Sequence, residues 1–394
     1  MAIENINGIA DAVAPELEAN LVKLLPEALV EGVTELDDGS AIIGEMEMEA
    51  EAPISIPFDA NLSEYIDEDV LLQMSDEITG NIEDDISSRS DWEEQYKGGL
   101  ELLGMNYEDR SEPFEGASGI VHPLLAESVT QFQAQAYREM LPAGGPVKTS
   151  IIGAETPEIN AQAERVKNYM NYQITYEMEE YDPELDQMLF YLPIVGSAFK
   201  KVYFDPTMQR AVSKFVHSED LIVPYSATDL ATATRITHCI RMDKNEIKKL
   251  QLSGFYRDID LPSSGADSDG TNDVKDTIND IEGITSNSSQ NEEMMIYEVH
   301  TDLDIEGFED IGADGEPTGL KMPYIVTIME DTGDVLSIKR NFNESDPLRR
   351  KVPYFVHYKF LPGLGFYGFG LTHTIGGLSR ASTSILRQLI DAGT

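Results

Sequence analysis

The sequence predicts an α+β fold, in the order helices, antiparallel strands, helix. Apolar residues recur at helical spacing from about residue 65 to Pro193. Runs rich in β-branched and aromatic residues, separated by turn residues, occupy about 200–360. A glycine-rich bend then opens a final amphipathic run, roughly Leu371 to Asp391.

Each helix has its own signal. Leu71, Ser75, Ile78, Ile82 and Ile86 form one stripe, and Asp91 is placed to N-cap a helix carrying Trp92, Tyr96 and Leu103. Pro123 suits the first turn of a helix striped by Leu125, Val129, Phe132, Ala136 and Met140, which stops at Leu141-Pro142-Ala143-Gly144-Gly145-Pro146. Thr156 and Pro157 are a cap and first-turn pair opening a long helix through Ile159, Val166, Met170 and Ile174. Asp182-Pro183 repeats the device, and Pro193 ends that helix.

Strands are expected at Lys201–Phe204 and Ala211–Val216 around Asp205-Pro206, at Leu221–Val223 and at Arg235–Arg241. Asp243 with Glu246 reads as a capping box on a short helix closed by Gly254. Further strands follow at Met294–His300, Tyr324–Met329, Val335–Arg340 and Tyr354–Phe360, the middle pair joined by Asp331-Thr332-Gly333-Asp334.

With 394 residues the chain has room for two to three domains. It carries 72 acidic against 28 basic residues, a formal net charge of -44. Such a chain repels free nucleic acid, which argues against gripping DNA through its phosphates but not against letting DNA slide past. The excess is uneven. Residues 1–90 hold 23 acids and 2 bases, residues 258–320 hold 18 and 1, and residues 321–394 hold 6 and 9. A halophile would spread its acids over every surface. Residues 1–60, acidic and broken by Pro15, Pro26, Pro53 and Pro57, are expected to be disordered, with Leu17, Leu21 and Leu24 able to form a transient amphipathic turn. Residues 258–292, mostly Ser, Asn, Asp and Gly, are expected to be a flexible acidic loop. The lone Cys239 excludes an intrachain disulfide, and no signal peptide or membrane-spanning run is visible.

Motifs that could carry chemistry are few. Gly363-Leu364-Gly365-Phe366-Tyr367-Gly368 matches G-x-G-x-x-G, but only 26 residues follow it, too few for the second strand and ribose-binding acid of a dinucleotide site. Asp302, Asp304, Glu306 and Gly307 resemble the start of a calcium loop, yet the twelfth position is Ala313, where a bidentate Glu is needed. Alternation through Val299, Thr301, Leu303 and Ile305 instead fits a strand with acids on its wet face. The six histidines show no ligand spacing, and neither a phosphate loop for ATP hydrolysis nor a nucleophile elbow is present. No catalytic, cofactor or metal residue is therefore singled out.

Three stretches are similar to the podovirus-like portal proteins of tailed bacteriophages: Glu115-Gly116-Ala117-Ser118-Gly119-Ile120-Val121-His122-Pro123, Leu141 through Lys148, and Phe366-Tyr367-Gly368-Phe369-Gly370-Leu371. Asp182-Pro183-Glu184-Leu185-Asp186 and the ending from Leu386 to Thr394 look similar too. The likeness runs from about residue 65 to the end. It implies a homo-oligomeric ring, usually of twelve subunits, at one vertex of the capsid in the virion, assembled in the host cytoplasm against the major capsid protein. The terminase large subunit docks on such a ring to pump DNA through it, and head–tail connector (adaptor) proteins replace the motor. Double-stranded DNA passes without sequence-specific contact, and no membrane is involved. The resemblance further implies a wing-like helical and β region at 61–257, a β-rich wing or clip region at 293–361, and a glycine bend with a stem-like, channel-side helix at 362–394. Family members continue into further helices and a crown, so the rest of the channel wall is expected from beyond Thr394 or from elsewhere.

In the last helix, Leu371, Ile375, Leu378, Ile385, Leu386 and Leu389 gather on one side, expected to pack against the wing. His373, Arg380 and Arg387, each seven apart, stack opposite as candidate interface or channel-facing residues. They would pair with acids of a neighbouring subunit or touch phosphates weakly. Two rival readings remain: another acidic structural virion protein such as a connector, and a hydrolase with an unrecognised carboxylate site.

Overall fold

The computed structural model describes residues 33–35, 41–43, 56–105, 114–206, 208–262, 273–283, 293–312 and 316–393. The chain divides into two compact units, Met1–Pro57 and Phe58–Thr394. In the first, Val33–Glu35 (β1) pairs antiparallel with Ala41–Ile43 (β2). Part of the stretch expected to be disordered is therefore a hairpin, while Leu17, Leu21 and Leu24 lie outside the described residues.

The second unit is α+β, as expected. It is built from Glu68–Ser88 (α1), Ser90–Glu101 (α2), Leu124–Met140 (α3), Pro157–Tyr172 (α4), Tyr181–Val195 (α5), Ser197–Asp205 (β3), Arg210–Val216 (β4), Leu221–Ile222 (β5), Arg235–Asp243 (β6), Lys244–Leu252 (α6), Asp273–Glu282 (α7), Glu293–Leu303 (β7), Met322–Met329 (β8), Val335–Arg340 (β9), Phe355–Lys359 (β10) and Leu371–Gly393 (α8). Two antiparallel sheets result, in the orders β10-β3-β4 and β5-β6-β7-β8-β9.

Order starts before Tyr65. The Asn61 side chain donates to Leu336 O (3.0 Å) and accepts from Ile338 N (2.9 Å), completing the edge of β9 as a strand would. Phe58 meets Phe342 edge-on at 5.3 Å. Burial pairs the sheets face to face through Phe199, Val216, Leu221, Ile236, Phe355 and Phe366. Helix α5 lays Leu185, Met188, Leu189 and Leu192 against the three-stranded sheet, and α6 covers Met294, Ile296 and Met329 of the other. A third cluster joins α2, α3, α5 and α8 through Tyr96, Leu100, Leu125, Val129 and Ile194.

Several local expectations are corrected. The 258–292 stretch is not all loop, for α7 lies within it, with Val274 buried and Ile278 and Ile281 packed on the third cluster. Helix α2 starts at Ser90, so Asp91 sits in its first turn rather than capping it. Asp243 precedes α6 without a side-chain capping bond, so no capping box forms. Pro193 lies inside the last turn of α5, and the stop is Gly196 at φ 95. Thr156 does cap α4, its hydroxyl accepting from Ile159 N at 3.3 Å.

Gly196 is required twice over. Its backbone is left-handed, and a Cβ there would run into Gly368 O and lie 2.5 Å from Gly370 N. The glycine bend and the end of α5 thus pack backbone on backbone, with Gly370 equally tight on Ile194 O. Gly196→Ala is expected to lower unfolding stability by at least about 2 kcal/mol, from a positive φ plus a clash that only backbone movement relieves. The midpoint of urea unfolding reads this directly; an unshifted midpoint would show that the bend adjusts freely.

Candidate subunit interface

Helix α8 packs by a small-residue face. Gly376, Ser379 and Thr383 are buried, and Gly99 of α2 lies so near that a Cβ there would sit 2.5 Å from Thr372 Cγ2. Close backbone approach selects small residues where two helices meet, and that sets the orientation of α8 more than its leucines do.

The expected faces are therefore largely reversed. Leu371 and Ile375, near its start, do pack on the third cluster. Leu378, Ile385 and Leu389 instead point outward, 62%, 59% and 67% exposed, and Leu386 is half-buried. The polar flank is the engaged one. Arg387 donates from Nε to Ile120 O at 2.7 Å and from Nη2 to Gly119 O at 3.3 Å. Thr383 Oγ1 accepts from His122 N at 3.0 Å, and Asp391 accepts from Ser118 N at 2.8 Å. Arg387 is thus a clamp on the 118–122 segment of its own chain.

The other two candidates differ. His373 Nδ1 accepts from Gly370 N at 3.1 Å, beside the Phe369 ring. Partial desolvation lowers the affinity of this imidazole for a second proton. Arg380 lies over Gly98, where a Cβ would come within 3.1 Å of its guanidinium. Among the described residues no carboxylate stands within ion-pair distance of it. A groove of about 170 Å³ opens there between α2 and α8, floored by Gly98, Gly99, Gly376 and Gly377. Of the row of three, His373 and Arg380 are exposed and Arg387 is half-buried.

The stretches that carry the family resemblance meet in two pairs, 118–122 with the end of α8 and Leu141 with Leu185, and the others pack on residues between them. Residues 118–122 dock on the C-terminal half of α8. The bend 366–370 seats on the end of α5. Leu141 packs on Leu185 and its neighbours. Tyr137 donates to Asp182 at 2.6 Å, and Gln133 to Asp186 at 2.8 Å. Gly145 and Val147 close on Asn171, which accepts from Val147 N at 2.9 Å.

Glycine-bend residues that imitate a nucleotide motif are used for packing. Phe366 is buried, stacked on Phe199 at 5.9 Å, and Tyr367 stacks on Trp92 at 4.3 Å. The Asp302, Asp304 and Glu306 stretch is the wet side of β7 and its continuation, with Val299 and Ile305 turned inward. Among the described residues no group of three His, Cys, Asp or Glu side chains is placed to hold a metal ion. None of their helices is long and apolar enough to cross a membrane.

One charged cluster was not legible in the sequence. Lys201 of β3 places Nζ 2.7 Å from both carboxylate oxygens of Glu298 on β7, and His300 Nε2 lies 2.8 Å from Glu298 Oε1. His238 stands opposite Glu298 in register on β6. The cluster ties the two sheets together, and His300 Nδ1 faces Asn341 at 3.5 Å. Compared with known proteins, the chain matches no family model and no curated protein.

Proposed function

We propose that this chain is a structural subunit of a tailed-phage portal ring, a conduit and docking hub rather than an enzyme. The observation that carries this reading is that resembling stretches far apart in the chain meet in pairs, 118–122 with the end of α8 and Leu141 with Leu185. Residues that are separated by up to about 270 positions in the chain, such as Ser118 and Asp391, meet as partners there. A motif set that builds one module is what a shared fold requires, whereas chance resemblances would scatter. The charge agrees: a ring with a net charge of -44 per subunit keeps the polyanion off its walls while it moves.

In this reading the ring sits at one capsid vertex of the virion, set in the major capsid protein. It receives the terminase large subunit and later the connector proteins, and it passes double-stranded DNA without reading its sequence. Arg380, not Arg387, is then the cation of α8 open to an acid of the neighbouring subunit.

Purified protein should form a closed ring of roughly half a megadalton, about twelve copies of a 43.7 kDa chain. Native mass measurement and negative-stain electron microscopy read this together. A monomer at every attainable concentration, above all one with measurable hydrolytic turnover, would refute the proposal.

A further inference from the structure

Two helices leave an apolar line uncovered, and the lines match. In α4 it is Ile159, Ala163, Val166 and Met170; in α8 it is Leu378, Ser382, Ile385 and Leu389. Both follow the same 4-3-4 spacing, and both read large, small, large, large. That spacing is the coiled-coil seam, about 16 Å long at 1.5 Å per residue.

Among the described residues, neither line is met within the chain. Helix α4 has no buried residue at all, and Ile159, Val166 and Met170 are 39%, 44% and 42% exposed. Tyr169, Tyr172 and Tyr176 stand exposed beside them, the residue type that interfaces favour. On α8 the apolar line lies opposite the buried small-residue face. A surface helix normally presents polar residues there.

Resting on the ring reading above, we infer that α4 of one copy packs antiparallel on α8 of the next copy. Antiparallel pairing sets Ile159 against Leu389, Ala163 against Ile385, Val166 against Ser382 and Met170 against Leu378. Each small residue then faces a large one, so the layers interlock, whereas a parallel pairing would oppose Ala163 to Ser382 and leave a void.

A second copy is the occupant that explains both lines at once. An α8–α8 contact would leave α4 bare, and an unrelated partner would have to match two surfaces separately. Each copy offers one seam of each kind, so the contact is head-to-tail and propagates until it closes.

The test is disulfide cross-linking of the full chain with Cys239→Ser removing the native thiol. Val166→Cys and Ser382→Cys are made singly and together, then oxidised and run without reductant. The double variant should give a ladder of dimers, trimers and higher species, while each single variant stays one chain long. Dimers from either single variant would show like-with-like contact and overturn the inference. An intrachain disulfide in the double variant, seen as a faster single-chain band, would overturn it too. Rings by native mass without a ladder would sink this contact and leave the ring reading standing; a monomer without cross-links would sink both.

Discussion

Replacing Arg89 by Met is expected to lower unfolding stability by about 3–5 kcal/mol. The residue joins α1 to α2 and is only 7% exposed. Its guanidinium donates to three main-chain oxygens of one turn: Leu221 O at 3.0 Å, Ser218 O at 3.4 Å and Glu219 O at 2.6 Å. Nε lies 2.8 Å from Glu93, and the cation sits 5.8 Å from the Trp92 ring centre. Methionine keeps most of the volume but removes the donors to those carbonyls and the cation beside Glu93. Each orphaned carbonyl costs about 1–3 kcal/mol, and a stranded buried charge more. Lysine should recover part of the loss, because one ammonium cannot reach three diverging acceptors. Urea unfolding followed by circular dichroism measures both variants. A Met variant within about 1 kcal/mol of the parent would mean that the turn at 218–221 is held by other contacts.

The helices and strands were legible because period and punctuation agree. Leu71, Ser75, Ile78 and Ile82 are the buried line of α1, and Thr156-Pro157 does start α4. The hairpin turns fall where the aspartates and glycine place them. Helix α7 was missed because its surroundings are so polar. Val274, Ile278 and Ile281 nonetheless recur at i, i+4, i+7, a signal that composition alone hides.

The orientation of α8 could not be read from its leucines. An apolar face reports that something covers it, not which molecule does. What fixes the inward side is Thr372 seated on Gly99, with Thr383 and Arg387 bonded to the 118–122 segment, a property of distant segments together. The Lys201–Glu298–His300 cluster was hidden for the same reason: its members come from β3 and β7, far apart in the chain, and no local spacing announces them.

That cluster sets the acid response of the fold. Desolvation works to raise the Glu298 carboxyl, but Lys201 and His300, with His238 beside them, outweigh it and hold it well below the ordinary 4.5. Burial, reinforced by Lys201, lowers His238 to about 3 from 6.5. His357 falls equally, to about 3, through burial and then Lys359. All three groups bind protons more weakly folded than unfolded, so the unfolded chain takes up more protons as pH falls. Stability is therefore full above pH 6.5 and declines below it, first as the unfolded-state histidines charge, at about 1.4 kcal/mol per pH unit for each histidine held neutral in the fold. Below 4.5 the Glu298 contribution is lost as well. The two parts separate by substitution. His238→Gln should roughly halve the decline between pH 6.5 and 4.5, leaving the His357 share, and should ease the fall between 4.5 and 3 by the same slope. Glu298→Gln should cost about 3–5 kcal/mol at neutral pH by stranding Lys201, and should flatten the lower part. Urea midpoints taken from pH 7.5 to 3.5 on the three proteins resolve these slopes. A parent protein equally stable at pH 7 and pH 4.5 would show that the buried histidines gain protons without cost, and the tie between the sheets would then rest on packing alone.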